Sequence, residues 1–372
     1  MHIGFDAKRA FKNFTGLGNY SRATIAALAE FYPENDYFLY TPRYREHSLL
    51  SFANRENMKI CSPEGWTKNF SSLWRSYGVN SSIARDKIQL YHGLVGELPI
   101  GLRSNVRSVV TIHDLIFLRY PEYYKFIDRK IYTRKYKSAC CRADLIVAIS
   151  EQTKRDVIDF YGIDEKKIRL VYQGCDSQFY ASVTQSEKQQ VCELYHLPQK
   201  YVLYVGTIEP RKNLLSLVKA LPLLPDDVHL VAIGKPTNYF AKVQETIAKY
   251  KLENRVRFLH SAAFKHLPAI YQQAQAFCLP SQFEGFGIPV LEALNSQTPV
   301  VTSNVSCLPE AGGPNSLYVN PEDEKEIAAA LNRILSDEEL RKQMIAGGLE
   351  YAKLFREKTI AQNMWSVYKE LL

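Results

Sequence analysis

The sequence lacks several features that would assign it to other broad classes of protein. None of its 372 residues belong to an apolar run near the roughly 18 residues of a membrane span. The first ten residues have no apolar core of the kind that signal peptides carry. Seven cysteines, an odd number without a Cys-x-x-Cys pair, argue against a disulfide framework and a zinc site. We therefore expect a cytoplasmic location.

Motifs of nucleic-acid-binding proteins are also missing, as are fixed-period repeats and low-complexity segments. The formal net charge of +8 is compatible with a nucleic acid, an anionic membrane surface or a phosphorylated small molecule as partner. Neither a zinc-finger spacing nor the aromatic strand motif of RNA-binding sheets accompanies this charge. We therefore favour the membrane surface and the small molecule, and we expect no nucleic-acid partner.

Strand patterns alternate with helical patterns along most of the chain. A chain of 372 residues with 46% hydrophobic residues suits two globular domains. The alternation predicts an α/β protein whose parallel sheets are covered on both faces. It weakens after Asp176, and we place the domain junction in the polar stretch 182–190. The predicted strands are 3–5, 37–41, 88–92, 108–112, 144–150, 168–172, 201–205, 228–233, 256–259, 276–279 and 298–302.

The segment 280–292, which reads PSQFEGFGIPVLE, is the most informative stretch. The apolar strand 276–279 runs into it, and Pro289 opens a helix that carries Glu292 in its first turn. Glu284 lies on the loop, so two carboxylates flank glycine backbone amides and a helix N-terminus. This arrangement suits a ligand rich in hydroxyls with a phosphate nearby. The alternative is an ordinary glycine loop that connects a strand to a helix.

Other functional side chains follow strands of the same kind. Arg211 and Lys212 come just after strand 201–205, and two adjacent cations are suited to hold a diphosphate. Alone they would be a common surface pair, but they share the strand-end placement of the two glutamates. His113 follows strand 108–112, where ligands bind in open parallel sheets. The alternative is a histidine whose ring only ties down a loop.

A glycine pair near the N-terminus, Gly16-Leu17-Gly18, precedes a helical pattern and can receive a phosphate or a carboxylate. Ser21 stands where the third glycine of the dinucleotide fingerprint would be. A plain turn is therefore an equally good interpretation of this loop.

The segment 119–142 carries eight basic residues against two acidic ones, with six aromatic residues between them. Basic and aromatic residues together suit contact with an anionic membrane, because tyrosine lies at the depth of the lipid headgroups. The alternative is a solvated helix face whose tyrosines pack on the core.

Taken together, segment 280–292, the Arg211-Lys212 loop, the glycine loop and His113 resemble glycosyltransferase family 4, which consists of retaining GT-B enzymes. The resemblance covers nearly the whole chain. It implies an α/β protein of GT-B fold, in which two Rossmann-like domains with parallel sheets face a central cleft. The acceptor-side domain would span 1–180, with the C-terminal helix 356–372 packing back on it, and the donor-binding domain would span 190–355.

The resemblance also implies roles for individual residues. His113 and Glu284 would be catalytic, and no metal or cofactor is expected because lysine, arginine and a helix N-terminus supply positive charge. Family members often carry glycine where this chain has His260, so the nucleobase is left open, with Ala262 as its expected backbone contact. The donor-binding residues would be Gly16, Gly206, Arg211, Lys212, Ala262, Gly285, Phe286, Gly287, Ile288 and Glu292.

The function that follows is retaining transfer of a hexose from a nucleoside diphosphate sugar to a saccharide or a lipid-linked saccharide. Mannose from GDP-mannose is favoured, in the synthesis of a surface polysaccharide. We expect peripheral contact with the inner face of the cytoplasmic membrane through 119–142. The alternatives are a GT-B-fold epimerase of nucleotide sugars, an NAD-dependent oxidoreductase that uses the Gly16 loop, and a non-catalytic basic module.

Overall fold

A computed structural model describes residues 1–13, 15–43, 48–63 and 70–372, and the chain divides into two compact units. Unit 1 consists of Met1–Gly174 together with Phe355–Leu372, and unit 2 consists of Cys175–Leu354. The chain therefore leaves unit 1, builds unit 2 and returns to unit 1 for its last residues. Each unit is built on one parallel sheet, which confirms the predicted α/β class.

The sheet of unit 1 has seven strands in the order β3-β2-β1-β4-β5-β6-β7, and every pairing is parallel. The third strand was not predicted, because only Cys61 of its residues is buried and the segment has no apolar run. The strands are β1 (His2–Asp6), β2 (Asp36–Tyr40), β3 (Met58–Cys61), β4 (Leu90–Gly93), β5 (Arg107–Ile112), β6 (Leu145–Ala148) and β7 (Ile168–Leu170).

The sheet of unit 2 has six parallel strands in the order β10-β9-β8-β11-β12-β13. Its central strands β8 and β11 are buried along most of their length, as their continuous apolar sequence predicts. The strands are β8 (Tyr201–Val205), β9 (His229–Ile233), β10 (Val256–Leu259), β11 (Ala276–Leu279), β12 (Val300–Ser303) and β13 (Leu317–Val319).

Helices connect the strands in both units. In unit 1 a π-helical turn, Trp74–Gly78, joins two short helices, and such turns are frequent at functional sites. The helices are α1 (Lys8–Lys12), α2 (Gly16–Phe31), α3 (Ser71–Leu73), α4 (Val79–Arg85), α5 (Ile116–Arg119), α6 (Phe126–Arg142), α7 (Glu151–Tyr161), α8 (Gln185–Tyr195), α9 (Leu214–Ala220), α10 (Phe240–Lys249), α11 (Leu267–Gln273), α12 (Ile288–Asn295), α13 (Leu308–Gly312), α14 (Glu324–Ser336), α15 (Glu338–Ala352) and α16 (Glu357–Lys369).

The last helix, α16, supplies an apolar face to unit 1. It packs against α2, and the ring of Trp365 stacks on Tyr32 with 4.6 Å between centroids. Its apolar side chains recur at the spacing of one helix face, so the surface they need is provided within the same unit.

The polar stretch at the expected domain junction contains helix α8. Thr184 accepts a hydrogen bond from the backbone N–H of Glu187, and the Glu187 carboxylate accepts one from Thr184 in return. This capping box satisfies two backbone donors at the start of a helix whose residues are mostly exposed. Polarity at this point therefore reflects a solvated helix within unit 2.

Within the part of the chain that the structure describes, none of the helices has both the length and the apolar character that crossing a membrane requires.

The two glycines at the start of α2 have different surroundings. A Cβ atom added to Gly18 would lie 1.7 Å from the carbonyl oxygen of Asn13, so only glycine fits there. Among the described residues, a Cβ atom added to Gly16 would meet no atom within 4 Å. Gly18 therefore allows α2 to approach the Asn13 carbonyl closely, whereas no described residue restricts a side chain at Gly16.

This difference predicts unequal effects of alanine at the two positions. Gly18→Ala should destabilise unit 1 by on the order of 2–3 kcal/mol, because the Asn13 carbonyl must shift. Gly16→Ala is the matched control and should change stability by less than about 0.5 kcal/mol. Thermal unfolding of both variants checks the prediction, and equal melting temperatures would contradict it.

Candidate active site

The loops that follow β8 and β11 meet at one edge of the unit 2 sheet. The two strands are parallel neighbours, so their carboxyl ends point to the same edge. The backbone N–H of Gln282 donates to the carbonyl of Arg211 at 2.8 Å, and the Arg211 guanidinium donates to the carbonyl of Phe283. Two segments about 70 residues apart in sequence thereby form one hydrogen-bonded surface.

A buried carboxylate lies at the centre of this surface. Glu284 is only 8% exposed, and its carboxylate contacts Lys212 Nζ at 2.8 Å and Arg211 Nη1 at 3.0 Å. The Ser281 hydroxyl donates to it at 2.8 Å. Burial by itself would raise the pKa of Glu284, but Lys212 and Arg211 outweigh it and lower the pKa to about 2. Glu284 is therefore ionised throughout the physiological pH range.

Lys212 keeps hydrogen-bonding capacity for a ligand. It gives one of its three N–H donors to Glu284, and its aliphatic stem passes over Gly206. A Cβ atom added to Gly206 would lie 2.9 Å from Lys212 Cδ, so glycine makes room for the stem. Arg211 also pairs with Glu209 at 2.6 Å. The two cations thus contact the carboxylates of Glu209 and Glu284, and an anionic ligand would compete with these carboxylates for them.

Helix α12 begins beside this cluster. Gly287 has φ +108°, a backbone conformation that favours glycine, and it directly precedes the first helical residue, Ile288. Pro289 is the second helical residue, where its missing N–H has no intrahelical partner either. Glu292 is the fifth helical residue and begins the second turn, one position beyond the first turn that the sequence indicates.

Glu292 lies in an environment that differs from that of Glu284. It is 8% exposed, and the Tyr271 hydroxyl donates to its Oε2 at 2.9 Å. Burial raises the pKa of Glu292 to about 7, although the Tyr271 hydrogen bond acts in the opposite direction. Near neutral pH this carboxyl is present in both protonation states. It is therefore able to accept a hydrogen bond from a ligand hydroxyl or to donate one to it.

His113 lies in unit 1, directly after β5. Its Nε2–H donates to the carbonyl of Leu94 at 3.0 Å, and the Thr153 hydroxyl donates to the His113 carbonyl at 3.0 Å. Burial lowers the pKa of His113 to about 4, so the ring is neutral at physiological pH. With the proton on Nε2, Nδ1 is a hydrogen-bond acceptor. Strand β5 and helix α7 together fix this position.

The structure brings only part of the predicted set into one cluster. Direct contacts join Gly206, Arg211, Lys212 and Glu284. Glu292 lies in α12, the helix that follows the loop of Glu284. Ala262 lies in the segment between β10 and α11 and is not part of the loops after β8 and β11 that form this cluster. The predicted residues of unit 1 are Gly16 and His113, and those of unit 2 are Gly206, Arg211, Lys212, Ala262, Glu284, Gly285, Phe286, Gly287, Ile288 and Glu292.

Four supporting residues escaped the sequence analysis. Ser281 is one of them, and its position three residues before Glu284 is a usable signal. The Tyr271 hydroxyl reaches Glu292 through the packing of α11 on α12, which the sequence does not reveal. Glu209 and Thr153 carry no signal of their own, because their partners are set by the tertiary structure.

The raised pKa of Glu292 predicts a pH-dependent loss of stability. The folded-state pKa of about 7 exceeds the ordinary 4.5, so unit 2 loses stability as pH rises through this interval. Glu292→Gln keeps the Tyr271 hydrogen bond and removes the titration. It should be more stable than wild type at pH 8, by on the order of 2 kcal/mol, and similar at pH 4. Thermal unfolding at both pH values checks this, and parallel pH dependence in the two proteins would contradict it.

Comparisons with known proteins agree with this geometry. A family profile described as "Glycosyltransferase Family 4" matches residues 15–179, and one described as "Glycosyl transferases group 1" matches residues 186–350. The chain is similar to crystalline Alr3699/HepE from Anabaena, solved with UDP and glucose, with a TM-score of 0.77 and 18% identity over all of both chains. This likeness shows the fold, and the GT-B prediction is confirmed.

Sequence relatives agree as well. The chain is 33% identical to the O-antigen chain mannosyltransferase B of Escherichia coli over 77% of this chain and 75% of the relative. It is 30% identical to the O-antigen chain mannosyltransferase RfbU of Salmonella typhimurium over 61% of this chain and 60% of the relative. The epimerase and oxidoreductase alternatives are not favoured by these matches. The chain belongs to glycosyltransferase family 4 and is a glycosyltransferase.

Proposed function

We propose that the enzyme transfers mannose from GDP-mannose to a saccharide or lipid-linked saccharide acceptor during synthesis of a surface polysaccharide. The observation that carries the proposal is the cluster of Arg211, Lys212 and Glu284 beside α12, which unites cations, a carboxylate and a helix N-terminus. The choice of mannose is supported by the names of two sequence relatives, both O-antigen chain mannosyltransferases.

In this proposal the cations of unit 2 hold the leaving group. Lys212 directs its remaining N–H donors to the diphosphate, and Arg211 does so by its fork of N–H groups. The positive charge stabilises the nucleoside diphosphate as its bond to the sugar breaks, which lowers the barrier selectively. We propose that this positive charge replaces a metal ion and that no cofactor takes part.

The carboxylates recognise hydroxyl groups. Glu292, able to accept or donate, holds the ribose hydroxyls, and Glu284 holds hydroxyls of the sugar together with the amides of Phe286, Gly287 and Ile288. The amide of Gly285 and the backbones of Ala262 and Gly16 complete the proposed donor contacts. His113, neutral and fixed by Leu94 and Thr153, contacts the sugar near the reacting carbon.

We further propose that the anomeric configuration is retained. The acceptor hydroxyl attacks from the face that the diphosphate leaves, and the departing phosphate oxygen takes the acceptor proton. Family membership supports this proposal. The anomeric coupling constant of the product, measured by NMR during the reaction, distinguishes retention from inversion.

A thermal-shift panel tests the donor. GDP at about 100 times its dissociation constant should raise the free energy of unfolding by roughly 2.7 kcal/mol. UDP, ADP and NAD at the same concentration should raise it less. Lys212→Met should weaken GDP binding by about tenfold or more, because a charged hydrogen bond is lost. Lys200→Met is the matched control, since Lys200 lies before the same strand, β8, and pairs with exposed Asp227. Stabilisation by NAD alone, or unchanged GDP binding in Lys212→Met, would contradict the proposal.

The membrane contact is proposed for helix α6. Only Ala139 and Cys140 of its 17 residues are buried, and a groove of about 410 Å³ runs along it. Large apolar side chains at its N-terminal end are exposed, including Ile127 at 70% and Phe126 at 58%. Tyr136, in contrast, packs against the core, as the alternative interpretation of this segment holds. The groove is lined by Arg129, Lys130, Thr133, Arg134, Lys137, Ser138 and Cys141.

Charge reversal on α6 tests this contact. The triple variant Lys130→Glu, Arg134→Glu, Lys137→Glu should bind phosphatidylglycerol vesicles at least about 100-fold more weakly, at roughly 1 kcal/mol for each basic residue. The same change of charge at Lys242, Lys249 and Lys251, exposed residues of unit 2, is the control. Equal vesicle binding by both triple variants would remove the proposal.

A further inference from the structure

A chain of buried polar groups crosses the core of unit 1. His92 on β4 is fully buried, and both of its ring nitrogens have partners. Nδ1 lies 2.6 Å from the Tyr368 hydroxyl, and Nε2 lies 2.8 Å from the Thr111 hydroxyl. Thr111 Oγ1 in turn lies 3.1 Å from the Tyr20 hydroxyl. Four residues from α16, β4, β5 and α2 are thereby connected in series.

One end of this chain touches His113. The rings of Tyr20 and His113 meet edge to face, with 4.5 Å between centroids and 88° between planes. Leu94 fixes the Nε2 of His113, and Thr153 fixes its carbonyl, but neither contact determines the tilt of the ring. The edge-to-face contact with the Tyr20 ring limits this tilt.

The chain of hydrogen bonds makes this constraint rigid. Burial lowers the pKa of His92 to about 3, so its ring is neutral and carries one N–H. One of its two hydroxyl partners therefore accepts a hydrogen bond from the ring, and the other donates one to it. Loss of the hydroxyl of Tyr368 or Thr111 removes a partner from the fully buried His92 ring, which is costly in the core. Tyr20 is thereby linked to Tyr368 through Thr111 and His92, and its hydroxyl also hydrogen-bonds the Thr24 side chain.

We infer that Tyr20 is a positioning residue for His113, and that Tyr368 on the C-terminal helix holds Tyr20 in place through His92 and Thr111. The inference rests on the proposed role of His113 for its catalytic consequence. Its structural part concerns unit 1 alone. The last helix thus supports the geometry of His113 in addition to covering α2.

The test uses the full-length enzyme labelled with ¹⁵N at histidine, and the signals of the His113 ring are assigned with His113→Ala. Tyr20→Phe, Tyr368→Phe and Thr111→Val each break one link while keeping nearly the same shape. We expect each to shift or broaden the His113 ring signals, because the ring then exchanges between orientations and loses its fixed Nε2–H tautomer. Thr111→Ser keeps the hydroxyl and should restore the wild-type signals.

Tyr37→Phe is the matched control. Tyr37 is also fully buried, and its hydroxyl donates to the backbone carbonyls of Leu28 and Tyr32 rather than to the hydrogen-bonded series that ends at Tyr20. It should leave the His113 signals unchanged. If Tyr20→Phe and Tyr368→Phe behave like Tyr37→Phe, the inference is overturned.

Kinetics with GDP-mannose separate this inference from the proposed function. In a variant with a broken link, kcat should fall by about tenfold or more, because a catalytic group is misplaced. The KM for the donor should stay within about twofold, because the cluster of unit 2 is untouched. Absence of transfer by the wild type would overturn the proposed donor and leave the ring signals as the test of positioning. Unchanged kcat alongside altered ring signals would overturn the catalytic consequence.

Discussion

A buried carboxylate held between a lysine and an arginine organises the carboxyl edge of the unit 2 sheet. Removing an ion from water costs several kcal/mol, so Glu284 is stable there only while Lys212, Arg211 and Ser281 surround it. The same contacts join the loop after β8 to the loop after β11. The two cations are thus held in a defined geometry before any anionic ligand arrives, which reduces the cost of organising them during binding.

The two glutamates of segment 280–292 show how position separates the chemistry of identical side chains. Glu284 has cationic partners that lower its pKa to about 2, whereas Glu292 has a tyrosine hydroxyl and a pKa near 7. One carboxyl is a fixed negative charge, and the other changes protonation state near neutral pH. Environments that separate the pKa values of two titratable groups in this way are typical of active sites, where each group has a different role.

Unit 1 uses burial differently. His92 and His113 are both neutral because their rings are buried in the core, which lowers the pKa of each. Their hydrogen bonds go to hydroxyls and backbone carbonyls, which select a tautomer without adding charge. Helix α6, by contrast, keeps most of its basic side chains in solvent, so the positive charge of this unit is concentrated on its surface.

Periodicity and strand-end chemistry in the sequence determined the α/β class, most strands, and the grouping of Arg211, Lys212 and Glu284. Apolar runs must be buried, and parallel strands deliver the residues that follow them to one edge, so local patterns suffice for these features. Strand β3 escaped because only one of its residues is buried. Only the tertiary structure decided which groups hydrogen-bond the site residues. Tyr271 hydrogen-bonds Glu292, Leu94 and Thr153 hydrogen-bond His113, and Tyr368 hydrogen-bonds His92. These partners lie 19 to 276 residues apart in the chain, and a hydroxyl leaves no periodic signal of where it will point.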